Sequence, residues 1–154
     1  MVITPRDGVA WVTGASQGLG EAVALRLARD GWTVAASARS GDKLDALAAR
    51  APGPGRIESW PVDVTDADAV GRTIAALHER HGAVALAILN AGTYDPDSAE
   101  TLDLDRLRAV IDLNLMSVLI GVEALMPGWR EAGRGHLQIV SSVSGYRGLP
   151  RAVS

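Results

Sequence analysis

Three glycines in the stretch Thr13-Gly14-Ala15-Ser16-Gln17-Gly18-Leu19-Gly20 are spaced for chemistry. A short apolar run, residues 9–12, leads into them. Leu19, Val23 and Leu27 follow at i, i+4 and i+8, which predicts one face of a helix. Backbone N–H groups at a helix start lack an internal partner and carry partial positive charge, so such a turn attracts a phosphate. Gly14 lets the chain turn after a strand, Gly18 lets the backbone approach a pyrophosphate, and Gly20 lets the helix pack close to a sheet. No Lys-Ser/Thr pair follows, so this is not a Walker-type loop.

Other candidates lie further along. Arg39, in Ala38-Arg39-Ser40, falls where the second strand should end. Dinucleotide-binding folds often place an acid there to take the ribose 2′-hydroxyl, whereas an Arg suits a 2′-phosphate. A charged hydrogen bond contributes about 1.5–3 kcal/mol, a preference of roughly ten- to a hundredfold. That favours NADP(H) over NAD(H). Asn114 sits seven residues beyond Leu107 in an apolar helical seam. A buried amide without partners costs about 1–3 kcal/mol, so something must satisfy it, a local backbone contact or a functional partner.

The elements that must position these residues follow from hydrophobic pattern. Strands are expected at 9–12, 33–38, 56–62, 84–89 and 136–140, with Pro61 stopping the third near an edge. Helices are expected from about 18 to 30, 40–50, 65–82 and 103–126. The third opens on a capping-type Thr65-Asp66-Ala67-Asp68, and Pro127 should bend or end the fourth. Its inward seam is Leu104, Leu107, Ile111, Val118, Val122 and Leu125. Strict alternation of strand and helix predicts an α/β fold, a Rossmann-type doubly wound parallel sheet of order 3-2-1-4-5 with helices on both faces. Strands one and four are then neighbours at the switch point, where ligands bind. The glycine loop and Asn90-Ala91-Gly92 converge there.

Composition bounds the rest. The chain has 154 residues, 47% of them hydrophobic and 21% charged, enough for one domain. A net charge of −3 gives no electrostatic case for nucleic acid or an anionic membrane. The absence of Cys excludes disulfides and a thiol nucleophile, and three scattered His argue against a metal site. No signal-peptide pattern opens the chain and no apolar run reads as membrane-spanning, so a soluble cytoplasmic protein is expected.

The stretch Thr-Gly-x-x-x-Gly-x-Gly, with Asn90-Ala91-Gly92, Asn114 and Ser142, resembles classical short-chain dehydrogenase/reductases over about residues 9–154. The resemblance implies NAD(P)-dependent oxidoreduction of a small alcohol or carbonyl substrate. It implies that Gly14, Ser16, Gln17, Gly18, Leu19, Gly20, Arg39, Asn90, Ala91 and Gly92 bind cofactor, and that Asp63 and Val64 face the adenine. Asn114 would help hold a water-mediated proton relay. Ser142, in Ser-x-x-Gly after the fifth strand, would hydrogen-bond the substrate oxygen, with Ser141 and Ser144 as competitors for that place. A Ser-His-Asp hydrolase is the rival chemistry, and against it no Gly-x-Ser-x-Gly elbow is expected in the chain.

The family's Tyr-x-x-x-Lys pair does not occur in these residues. The Tyr residues are Tyr94 and Tyr146, followed four places on by Ser98 and Pro150, and the sole Lys is Lys43. Residues 1–154 thus read as a single NAD(P)-binding domain, incomplete at its C-terminal side and forming a homo-oligomer when whole. A non-catalytic NADP-binding module and a subunit completed by another chain are the alternatives.

Overall fold

The computed structural model describes residues 2–94 and 102–147. Strands β1 (Val9–Thr13), β2 (Thr33–Ser37), β3 (Arg56–Ser59), β4 (Val84–Leu89) and β5 (His136–Ile139) alternate with helices. The helices are α1 (Gly18–Arg29), α2 (Gly41–Ala49), α3 (Ala67–His81), α4 (Leu104–Ile111) and α5 (Ser117–Ala132). All four strand pairings are parallel and the order is β3-β2-β1-β4-β5, the Rossmann-like arrangement that the alternation predicts. β1 and β4 are buried along their whole length because helices cover both sheet faces, which is why they read as unbroken apolar runs. One core joins Ala10, Val12, Val34 and Ile88 to α1 and α2; the other joins Trp11, Val84 and Leu89 to α3 and α5.

Several elements depart from the pattern. The buried face of α1 is Gly20, Ala24 and Ala28. Val23 and Leu27 only flank it and Leu19 is 58% exposed, so backbone approach rather than side-chain bulk sets that contact. β3 ends at Ser59, three residues early. Its register nevertheless continues, with Trp60 N donating to Ala36 O at 2.9 Å and Val62 N to Ala38 O at 3.0 Å, and Pro61 between them lacks a donor. The cap of α3 is Asp66, which accepts from Ala69 N; Thr65 is not part of it.

The fourth helix differs most. It is α4, a π-helical turn over Asp112–Met116, and then α5, which runs through Pro127 to Ala132. Pro127 and Glu123 are both exposed, so water can take the carbonyl bond that Pro127 cannot satisfy. Leu104 and Ile111 point outward, and Val110, Ser117, Gly121 and Leu125 are the buried residues. A Cβ on Gly121 would lie 3.2 Å from Leu89 Cδ2, which shows how closely α5 meets β4. Contrary to the pattern reading, the stretch Leu104–Ala132 is long and apolar enough to cross a membrane by length and composition. Here α5 packs on β4 and α3.

Candidate functional site

Among the described residues, the candidates for nucleotide binding lie at the C-terminal edge of the sheet, and hydrogen bonds fix how the loops meet. Thr13, buried at the end of β1, accepts from the backbone N–H of Asn90 at 2.9 Å and of Ala91 at 3.1 Å through its hydroxyl. Asn90 Nδ2 returns the tie by donating to the carbonyls of Thr13 at 3.1 Å and Gly14 at 3.3 Å. The glycine loop and the Asn90 loop are therefore one unit. A Cβ on Gly20 would collide with the Gly14 carbonyl and the Asn90 amide. Thr13 opens the motif but was not among the candidate residues; a hydroxyl where a buried strand meets a glycine is the signal that finds it.

Gly14 and Gly18 have φ of +65° and +60°, the left-handed region. A Cβ on Gly18 would meet nothing within 4 Å, so the space before α1 is open. Gln17 at the N-cap makes no side-chain capping bond. The first-turn amides of α1 are thus left for an anion. This open cradle fits a dinucleotide diphosphate.

The other candidates border the same edge. Ala15 N donates to Ser37 O at 3.1 Å, tying the glycine loop to β2 two residues before Arg39. Arg39 is exposed. The Val62–Ala38 bond brings Asp63 out beside Arg39, and Val64 is buried. Asp63 Oδ1 accepts from Thr65 N at 3.0 Å and Thr65 Oγ1 at 2.8 Å. These bonds, aided by Arg39's charge and opposed by burial, hold the Asp63 carboxyl below its usual range. Val140 N donates to Leu89 O at 3.0 Å, so Ser142 follows just beyond the end of β4. Ser142 is exposed, its carbonyl accepts from Gly145 N at 3.1 Å, and a single 3₁₀ turn, Val143–Gly145, follows it. The Ser144 side chain, Ser98 and Pro150 lie outside the described residues, as does the loop after Tyr94.

Asn114 is exposed, not buried in the seam. It lies in the π-helical turn, and its amide pairs with one backbone residue: Oδ1 accepts from Thr93 N at 2.8 Å and Nδ2 donates to Thr93 O at 2.8 Å. A side-chain amide has the donor–acceptor geometry of a peptide, so Asn114 grips the chain just past Gly92. A Cβ on Gly92 would stand 3.2 Å from Asn114 Oδ1.

The expectation that the chain has no Gly-x-Ser-x-Gly is wrong. Gly14-Ala15-Ser16-Gln17-Gly18 itself spells Gly-x-Ser-x-Gly on a strand–turn–helix. A nucleophile there needs a nearby base. His78 and His81 close α3 and His136 opens β5, all at the opposite edge of the sheet. His81 is engaged with Glu58 at 3.0 Å, and the His78 ring fills the space where Gly128 lacks a side chain. Ser16 therefore has no His partner among the described residues. Among those residues, no group of three His, Asp or Glu could hold a metal.

The chain is similar to known proteins over most of its length. The family model described as short chain dehydrogenase matches residues 8–154. An uncharacterized oxidoreductase of Myxococcus xanthus (strain DK1622) is 42% identical over 141 residues, 91% of this chain and 56% of that protein. A metagenomic short-chain oxidoreductase solved in complex with NADP superposes with TM-score 0.88 at 30% identity, covering 95% of this chain and 67% of that one. An alcohol dehydrogenase from Thermococcus sibiricus, complexed with 5-hydroxy-NADP, gives 0.86 at 32% identity, covering 94% and 62%. The chain spans about half the length of the curated relatives it matches.

Proposed function

The chain belongs to the short-chain dehydrogenase family, and from that premise we propose that it is the cofactor-binding part of an oxidoreductase that moves a hydride between NADP(H) and a small alcohol or carbonyl compound. The observation that carries this is the open, uncapped start of α1, knitted to Asn90 through Thr13 at the sheet's switch point. When bound, NADP(H) supplies or accepts the hydride. The amides of Gly18, Leu19 and Gly20 hold the diphosphate, with Ser16 and Gln17 on the same turn. Arg39 takes the 2′-phosphate and sets the preference over NAD(H). Asp63 and Val64 border the adenine, and Asn90, Ala91 and Gly92 line the cleft toward the nicotinamide.

In this reading Ser142 donates a hydrogen bond to the substrate oxygen. Asn114 keeps Thr93 and the strand end beneath it in register, the position from which it can hold an ordered water. A serine hydroxyl is a poor acid, so full turnover needs a stronger proton donor than these residues hold. The NADP named for two solved relatives supports this cofactor. The test is titration of NADPH into the chain with nicotinamide fluorescence as readout. Saturable enhancement that NADP+ competes away is expected, and no binding at millimolar nucleotide overturns the proposal.

A further inference from the structure

β2 and β3 leave the sheet side by side. Their last bond is Val62 N to Ala38 O at 3.0 Å, and the next residues on each strand are Arg39 and Asp63. Both are exposed, of opposite charge and just past the ends of adjacent strands. No ion pair joins them. The Asp63 carboxylate is held instead by Thr65, whose N–H and hydroxyl both reach Oδ1. Thr65 is spare for this because Asp66 caps α3.

We propose that Thr65 is a positioning residue for cofactor choice: by holding the Asp63 carboxylate it keeps the Arg39 guanidinium free for an anionic group on the adenosine ribose. A carboxylate has room for about four acceptor bonds, so the loss of one donor makes it seek another. Arg39 is the cation beside it. Paired with Asp63, Arg39 would meet a phosphate with its charge already compensated, and Asp63 would add repulsion. Nucleotides without the 2′-phosphate would feel little of this. The inference rests on the NADP(H) reading above and deepens it.

The experiment measures Kd for NADPH and for NADH by nucleotide fluorescence on the 154-residue chain, at low ionic strength where surface charges are least screened. The variants are Thr65→Val, Thr65→Ser, Asp63→Asn, the Thr65→Val/Asp63→Asn double and Arg39→Gln. Thr65→Val should lower the NADPH-over-NADH ratio by about 1.5- to 5-fold, the range for an exposed ion pair, and Thr65→Ser should restore it. Asp63→Asn should raise the ratio, and in that background Thr65→Val should no longer change it. Equal weakening of both nucleotides by Thr65→Val, with the ratio unchanged, makes Thr65 merely structural and overturns the inference. If Thr65→Val does not fold, an unchanged ratio in Asp63→Asn overturns it. A ratio indifferent to Arg39→Gln defeats the phosphate reading and the inference together. A ratio that depends on Arg39 but ignores Thr65 and Asp63 defeats the inference alone.

Discussion

Gly18 and Gly133 provide a matched pair for testing the phosphate cradle. Gly18 starts α1 with φ +60°, and Gly133 caps α5 with φ +65°. At both, an added Cβ meets nothing within 4 Å. Alanine at either site therefore costs only left-handed strain, about 1–2 kcal/mol, less about 0.4–1 kcal/mol regained from the stiffer unfolded chain. The net loss of about 0–1.6 kcal/mol should lower Tm by no more than roughly 5 °C in a chain of this size. Binding separates the two. In the proposed cradle, the methyl added by Gly18→Ala would occupy the space in which a diphosphate meets the first-turn amides. Losing one or two charge-assisted hydrogen bonds, about 1.5–3 kcal/mol each, weakens NADPH by at least tenfold. Gly133→Ala should bind as the parent does. Differential scanning fluorimetry gives the stabilities and nucleotide fluorescence the affinities. Equal affinities in the two variants would refute the placement of the phosphate at Gly18, whatever their Tm.

Arg39→Asp should reverse the preference between NADPH and NADH, and titrations showing the parent preference intact would remove Arg39 from the ribose site. Assayed alone for NADPH oxidation with ketones and aldehydes, residues 1–154 should show no turnover, because Tyr-x-x-x-Lys is missing from them; rates like those of a longer form carrying that pair would place the proton donor within this chain. In such a longer form, Ser142→Ala should cut kcat while leaving cofactor Kd nearly unchanged, and Asn114→Leu, which deletes both bonds to Thr93, should cut kcat as well. A fully active Asn114→Leu would reduce that clasp to scaffolding. Burial would raise the pKa of Glu58, but hydrogen bonds from Arg56 and His81 and the charge of Arg80 outweigh it and hold the group low. A carboxylate depressed in the folded state stabilises above its unfolded pKa and loses that contribution as pH falls. Below about pH 4.3, the parent should therefore lose Tm faster than Glu58→Gln; parallel Tm–pH curves would contradict this.

The sheet order was legible because strands buried on both faces leave unbroken apolar runs, and Val84–Leu89 and Val9–Thr13 do so. The strand-to-helix turn after β1 was legible because backbone geometry, not side-chain identity, demands its glycines. Helix faces were less so. Periodicity put Leu19 inward, but where Gly20, Ala24 and Ala28 let α1 lie close to the sheet, the smallest residues mark the buried face. The same inversion hid Ser117 and Gly121 in α5. The helix does not end at Pro127, because that proline stands on the exposed side, where water can take the bond it cannot make.

The roles of Thr65 and Asn114 show a deeper limit on what a sequence discloses. Thr65 looks like a helix cap until Asp66, one residue on, is seen to take that place; two adjacent residues of capping type leave the choice to backbone angles. Asn114 is polar among apolar neighbours, and its need for a partner was argued from burial; the residue is exposed and still finds one. That partner is the main chain of Thr93, 21 residues away, and any residue but proline offers the same N–H and C=O. A bond to backbone leaves no mark on the partner's side chain, so only one end of the clasp could be read from residue types. The helix face was misread in a simpler way: the buried Val110, Ser117 and Gly121 each stand one residue before the expected Ile111, Val118 and Val122, because small residues rather than bulky ones face the sheet. Leu104 and Ile111 therefore fall outside, while Leu125 lies inside as the pattern has it.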